Sequence, residues 1–215
     1  MTAVPRGLVI LGFGGHARSV ADIALTLGIK GLIFVDKAAG SNESLWGFPV
    51  RKAFDEKLPD GWQTFAASGN NQTRHAQVAT ILRRSWPLAT LVSPTATIGR
   101  EASISAGCFI GHHAHVGPLS SIGTACIINT GAVVDHECKI GDYTHVSVNS
   151  SVAGRCQLGS FVFLGAGAAV IDKVSIADSI TVGAGGIVIR PLVEPGIYVG
   201  APARSVKAKT NRERR

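Results

Sequence analysis

From Val92 to Val188 an aliphatic residue recurs every six positions, seventeen times in a row without an exception: Val92, Ile98, Ile104, Ile110, Val116 and so on to Val182 and Val188. Two residues before each lies a second series, all small as far as Cys156: Ala96, Ala102, Cys108, Ala114, Ser120, Cys126, Ala132, Cys138, Thr144, Ser150, Cys156. The residue after the aliphatic is usually Gly, Asn or Asp. A period of six fits neither an α-helix nor a hairpin sheet. It fits a coil of three short strands, with the aliphatic inward, the small residue in the corner, and successive coils sharing a continuous core. Coils stack at about 4.8 Å, so residues one full coil apart lie directly above one another. The period does not set the hand of the coil.

The repeat also accounts for the cysteines. All four (Cys108, Cys126, Cys138 and Cys156) occupy the small inward position. They read as small buried hydrophobes rather than nucleophiles, disulfide partners or metal ligands. Reduced thiols, no signal peptide and no run of about 20 apolar residues imply a cytoplasmic protein with no membrane insertion. The net charge is +7, and the segment from Lys207 to Arg215 carries much of it. That tail reads as a solvated end. Basic residues nowhere alternate with aromatics, so no nucleic-acid partner is expected.

Residues 1–91 follow a different pattern. An apolar strand over residues 7–11 leads into Gly12-Phe13-Gly14-Gly15-His16-Ala17 and an amphipathic helix to about Leu27. Further strands are expected over residues 32–36 and 64–67, and a second helix over 72–84. Strand, glycine loop, helix and strand open a Rossmann-like nucleotide-binding fold, with Asp36 at the end of the second strand where an acid meets a ribose or base. The region holds only half a dinucleotide fold. A mononucleotide diphosphate therefore fits better than NAD, its pyrophosphate resting on the helix N-terminus. The same glycines would also serve to pack a strand on a helix.

Three motifs stand together: Gly-Gly-His-Ala at 14–17, Gly69-Asn70-Asn71, and Asn129-Thr-Gly-Ala-Val-Val-Asp-His136-Glu-Cys. With the repeat, and with Gly200-Ala-Pro-Ala-Arg204 near the end, they resemble the sialic-acid O-acetyltransferase and nucleotide-amino-sugar N-acetyltransferase family of hexapeptide-repeat acyltransferases. Ala201 and Arg204 depart mildly from the family ending. The resemblance implies a left-handed parallel β-helix over residues 92–190, after the α/β half-domain of residues 1–91 and before a C-terminal segment, 191–215. It also implies a homotrimer with sites between subunits, and acetyl-CoA as co-substrate. The reaction implied is acetylation of an amino group, at C4, of a nucleotide-linked deoxy sugar. By resemblance His136 is the general base and Glu137 raises its basicity. Gly14, Gly15, His16, Asp36, Asn70 and Asn129 contact the nucleotide sugar, and His145, Gly154, Ala166 and Ala184 contact the cofactor. The coil arithmetic independently sets Gly154 one coil above His136, where its N–H could meet a thioester carbonyl. Lys37, where relatives often carry an acid, leaves the base open.

Other readings stay open at this level. The acceptor could be a hydroxyl, as in sialic-acid O-acetylation. A zinc lyase of the carbonic-anhydrase type shares the β-helix and the trimer, but such proteins lack the N-terminal nucleotide fold. A non-catalytic sugar-nucleotide binder would not need Asn129, His136, Glu137 and His145 together. His112, His113 and His115 invite a metal reading, yet neighbouring residues of a β-coil point apart, so solvated or interface histidines are expected and no metal site.

Overall fold

The computed structural model describes residues 4–206, so the basic run from Lys207 onward lies outside the described residues. The N-terminal unit runs β1 (Gly7–Leu11), α1 (Gly15–Thr26), β2 (Gly31–Val35), β3 (Ser44–Leu45), β4 (Phe48–Arg51), β5 (Trp62–Ala66) and α2 (Asn71–Arg83). Its sheet has the order β3-β4-β2-β1-β5, parallel except for the β3–β4 hairpin. β1 and β2 are continuous apolar runs, as strands covered on both faces must be. The hairpin is absent from the sequence expectation. It turns at Trp46-Gly47, both with left-handed φ (51° and 83°), as a tight hairpin requires. A two-residue β3 and Pro49 inside β4 conceal the alternation that would reveal it. Helix α2 is fixed by Asn70, whose Oδ1 accepts from the Thr73 N–H at 2.9 Å and caps the N-terminus.

The remainder is a stack of strands of two or three residues, from Leu91–Val92 to Ile187–Val188, forming three parallel faces. Partners are eighteen residues apart, as in Ile127↔His145, Val133↔Ser151 and Lys139↔Gln157. This is the left-handed parallel β-helix implied above, preceded by its α/β unit. The first face runs from Leu91–Val92 through Phe109–Ile110, Ile127–Ile128 and His145–Val146 to Ile180–Val182. The second runs from Thr97–Ile98 through Val133–Val134 to Ile187–Val188. The third runs from Ser103–Ile104 through Lys139–Ile140 to Ser175–Ile176.

The aliphatic series fills the prism, and from Ile110 upward every member is buried. Ile98, on the lowest coil, is 41% exposed because no coil lies beneath it. Leu192, Tyr198 and Ala203 close the top. Polar and thiol members of the small series stay buried by a shared device, donating to a backbone carbonyl fifteen residues on. Cys108 donates to Gly123, Ser120 to Asp135, Cys126 to Gly141, Cys138 to Ala153, Thr144 to Gly159, Ser150 to Gly165 and Cys156 to Ile171. The cysteines are thus free, buried and hydrogen-bonded.

Glycines after the aliphatic serve packing rather than turning. At Gly117 and Gly141 a Cβ would strike the backbone of the coil above. The left-handed residue of each turn comes two places later, at 101, 107, 113 and every sixth position to 185, and most of these are not glycine: Glu137, Tyr143, Arg155 and Phe161 among them.

Candidate active site

His136 sits on the edge between the second and third faces. Its Nδ1 lies 3.0 Å from Glu137 Oε2. A carboxylate oxygen only accepts, so Nδ1 carries the hydrogen and Nε2 keeps its lone pair. The left-handed φ of Glu137 (58°) folds its side chain back beside the ring. Asp135 Oδ1 accepts from the His136 N–H at 2.7 Å. One coil up, Gly154 faces the imidazole so closely that any Cβ would collide with it at Nε2. Ala153 has no carboxylate to repeat the Asp135 bond, and the Gly154 N–H donates no hydrogen bond among the described residues. His136, Glu137 and a free backbone N–H therefore converge on one edge.

A second group gathers where the N-terminal unit packs on the first face. Gly14 and Gly15 open α1. A Cβ at either would meet nothing within 4 Å, and neither needs a left-handed φ, in contrast to Gly12 (φ +106°). Neither packing nor conformation explains these two glycines, and the helix N-terminus they expose suits an anion. The His16 ring stands edge-on to Phe109 at 4.7 Å, and its buried Nε2 has no hydrogen-bond partner among the described residues. Burial first, then His145 and Arg74, lowers its pKa to about 3. His145 Nδ1 lies 3.1 Å from the Gly69 carbonyl and its Nε2 3.3 Å from Asn129 Nδ2. Burial lowers its pKa to about 4, opposed by the Gly69 bond and assisted by Arg74. Both imidazoles are therefore neutral at neutral pH.

Asp36 holds the glycine loop, accepting from the N–H groups of Phe13 and Ala38 at 3.1 and 2.9 Å. Beside it opens a cleft of about 510 Å³ between α2 and the segment after β4, lined by Gly12, Lys37, Lys52, Gln77, Arg84 and Trp86. Lys52, Gln77 and Arg84 escaped the sequence reading because the unseen hairpin and the face of α2 bring them there. Asn70 borders a smaller cleft with Phe161 and Phe163, its carbonyl oxygen already committed to capping.

Within one chain the two groups stay apart. His136 lies on the edge opposite the first face, while Asn129 lies on the edge between the first and second faces, against His145 rather than His136. Ala166 and Ala184 stack on that same edge as Asn129, the Gly185 N–H reaching the Ala166 carbonyl at 2.8 Å, and not on the edge of Gly154. The three neighbouring histidines are engaged separately. His112 bonds Ser93 Oγ (2.7 Å) and Asp22 Oδ2 (3.1 Å), His115 bonds Thr97 Oγ1 (2.7 Å), and His113 is exposed. Among the described residues no helix is long and apolar enough to cross a membrane.

Residues 7–81 match the PglD N-terminal domain model. No curated protein sequence matches the chain. Among solved structures, the acetyltransferase domain of PglB from Neisseria gonorrhoeae FA1090 is 27% identical, with 94% of this chain and 100% of that one covered and a TM-score of 0.86. It has also been solved with acetyl coenzyme A. PerB from Caulobacter crescentus, solved with CoA and GDP-perosamine, is 31% identical over 94% of this chain and 97% of that one, with a TM-score of 0.82. WeeI from Acinetobacter baumannii AYE shares the fold at 22% identity and a TM-score of 0.87, over 93% of this chain and 99% of that one. An N-terminal α/β unit, an unbroken hexapeptide β-helix and a 31% identical relative matched almost end to end lead to one assignment: the chain belongs to the hexapeptide-repeat acyltransferase family that includes the GDP-perosamine N-acetyltransferase of Caulobacter crescentus, and it is an acyltransferase.

Proposed function

We propose that the protein transfers acetyl from acetyl-CoA to an amino group, at C4, of a nucleotide-linked deoxy sugar. The observation that carries this reading is the His136–Gly154 pair, an imidazole whose Nδ1 is held by Glu137 packed directly against the backbone of a glycine whose N–H has no acceptor among the described residues. In this reading His136 Nε2 takes a proton from the amine as its nitrogen attacks the thioester carbonyl. Glu137 steadies the imidazolium that forms. The Gly154 N–H donates to the carbonyl oxygen as negative charge gathers there. The C–S bond breaks, the acetyl group stays on nitrogen, and His136 returns its proton to the departing thiolate. Acetyl-CoA and the amino sugar enter as the ligands carried in the solved relatives.

The nucleotide diphosphate is assigned to the open N-terminus of α1 at Gly14, Gly15 and His16, with Asp36 and the adjoining cleft toward the nucleoside. Asn70, Asn129 and His145 are assigned to the sugar and the acetyl end of the cofactor. Ala166 and Ala184 are assigned to the pantetheine arm.

A homotrimer brings the separate groups together, the His136 edge of one protomer facing the Asn129 edge and nucleotide unit of the next. Exposed apolar side chains on the second face and its borders favour such an assembly: Leu119, Val148, Ile171, Ile187 and Ile189. Incubation with acetyl-CoA and nucleotide-linked amino sugars should release CoA thiol and give singly acetylated product, while the matching hydroxy sugars remain unmodified. His136→Ala should lower kcat by roughly 100-fold or more. Near-normal turnover in that variant removes His136 as the base, and a monomer in light scattering removes the shared site.

A further inference from the structure

Arg74 is the largest side chain buried to within 1% of full enclosure, and no carboxylate accompanies it among the hydrogen bonds and ion pairs of the described residues. Its guanidinium is satisfied mainly by backbone oxygens. Nε donates to the Ala125 carbonyl at 2.7 Å, Nη1 to Ser68 at 2.9 Å and more weakly to Gly69 at 3.4 Å. Nη2 donates to the Tyr143 carbonyl at 2.7 Å and to Asn71 Oδ1 at 2.9 Å. Asn71 Nδ2 in turn donates to the carbonyls of Phe161 and Val162 at 3.0 and 3.1 Å. Ala125, Tyr143 and Phe161 stack at eighteen-residue steps, each in the left-handed corner position. The two side chains therefore pin the start of α2 and the 68–69 turn to three successive coils.

The turn so held supplies the acceptor for His145. A carbonyl can only accept, so the bond to Gly69 puts the hydrogen of His145 on Nδ1 and leaves Nε2 as an acceptor for Asn129 Nδ2–H. The other end of the Asn129 amide is fixed as well, since its Oδ1 accepts from the Thr130 N–H at 2.8 Å. One amide hydrogen remains without a partner among the described residues.

We propose that Arg74 is a positioning residue. By clamping the Ser68–Gly69 backbone it holds His145 as the Nδ1–H tautomer, which orients Asn129 to donate its remaining N–H to an oxygen of the bound ligands. The significance of that oxygen rests on the acetyl-transfer reading above, whereas the tautomer does not. The same uncompensated cation helps to keep both His145 and His16 uncharged, behind burial as the larger cause.

The test combines spectroscopy with a double-mutant cycle. Imidazole ¹⁵N shifts of His145, assigned by comparison with His145→Gln, should show a protonated Nδ1 and a bare Nε2 in the wild-type protein. Arg74→Lys keeps a cation but cannot span all the carbonyls, and it should convert His145 to a mixture of tautomers. Its kcat should fall on the order of tenfold to a hundredfold, with little further loss when it is added to His145→Gln. Asn71→Ser, which removes the only side-chain acceptor of Arg74 among the described residues, gives the same readout if Arg74→Lys does not fold. A protonated Nε2 in the wild-type protein overturns the proposal, as does a kcat loss that is equally large with and without His145. Failure of the wild-type protein to transfer acetyl would strike the functional reading alone, since the shifts still decide the tautomer link.

Discussion

Gly154 lies one coil above His136 with its Cα against the imidazole, leaving no room for a methyl group beside Nε2. The absence of a side chain there has a chemical reason as well as a steric one. A bulkier residue would displace the imidazole from its place against the Gly154 backbone. Gly154→Ala should lower kcat by roughly 100-fold. The φ of Gly154 is not left-handed, so the backbone should accept alanine and the melting temperature should fall only modestly. Thiol release compared with a thermal melt checks this. Loss of folding in step with activity would make Gly154 a packing residue only.

Glu137 and His136 are both partly exposed, with side chains 49% and 39% accessible. As a bare ion pair they would contribute little to stability. In the proposed reaction their value lies in fixing the tautomer and supporting the imidazolium. Glu137→Gln should leave stability nearly unchanged while lowering kcat about tenfold, because the carboxylate that orients the His136 ring is lost. A loss of kcat that is equally large when Glu137→Gln is added to His136→Ala would show that Glu137 does not act through His136.

The β-helix was legible because two side chains in every six point inward, one aliphatic and one small, and that pattern repeats along the whole stack. The same arithmetic placed Gly154 over His136. What it could not supply was the lateral relation between edges. Asn129 and His136 are only seven residues apart in the motif, yet a whole face separates them. Arg74 was invisible for a different reason: on a helix with a polar composition, nothing local distinguishes an arginine aimed at the carbonyls of two successive coils from one in water. The hairpin that brings Lys52 to the cleft was hidden by its length. Left-handed turns at Tyr143 and Phe161 were equally unreadable, since stacking between coils, not glycine, imposes them.

The buried histidines should make stability depend on pH. His145 and His16 are held at about 4 and about 3, against 6.5 in the unfolded chain. Between those values and 6.5 the unfolded chain binds more protons than the native one. Stability from this source is complete above pH 6.5 and is lost as pH falls toward 4 and then 3. The melting temperature should drop from pH 7 to pH 5, and His145→Gln should flatten that drop. Parallel curves for the two proteins would show that His145 does not titrate on unfolding.

Gly14 and Gly15 separate ligand binding from folding. A Cβ at either position meets open space, so Gly14→Leu should cost no more than about 1 kcal/mol, the scale of a lost helix cap. The new side chain would nonetheless occupy the approach to the N-H groups that open α1. Addition of a nucleoside diphosphate should raise the wild-type melting temperature, because a ligand that binds only the native state stabilises it. In Gly14→Leu that rise should disappear and KM for the nucleotide sugar should increase at least about tenfold, with CoA binding retained. An unchanged thermal shift would move the diphosphate away from α1 and toward the lysines of the adjoining cleft, Lys37 and Lys52.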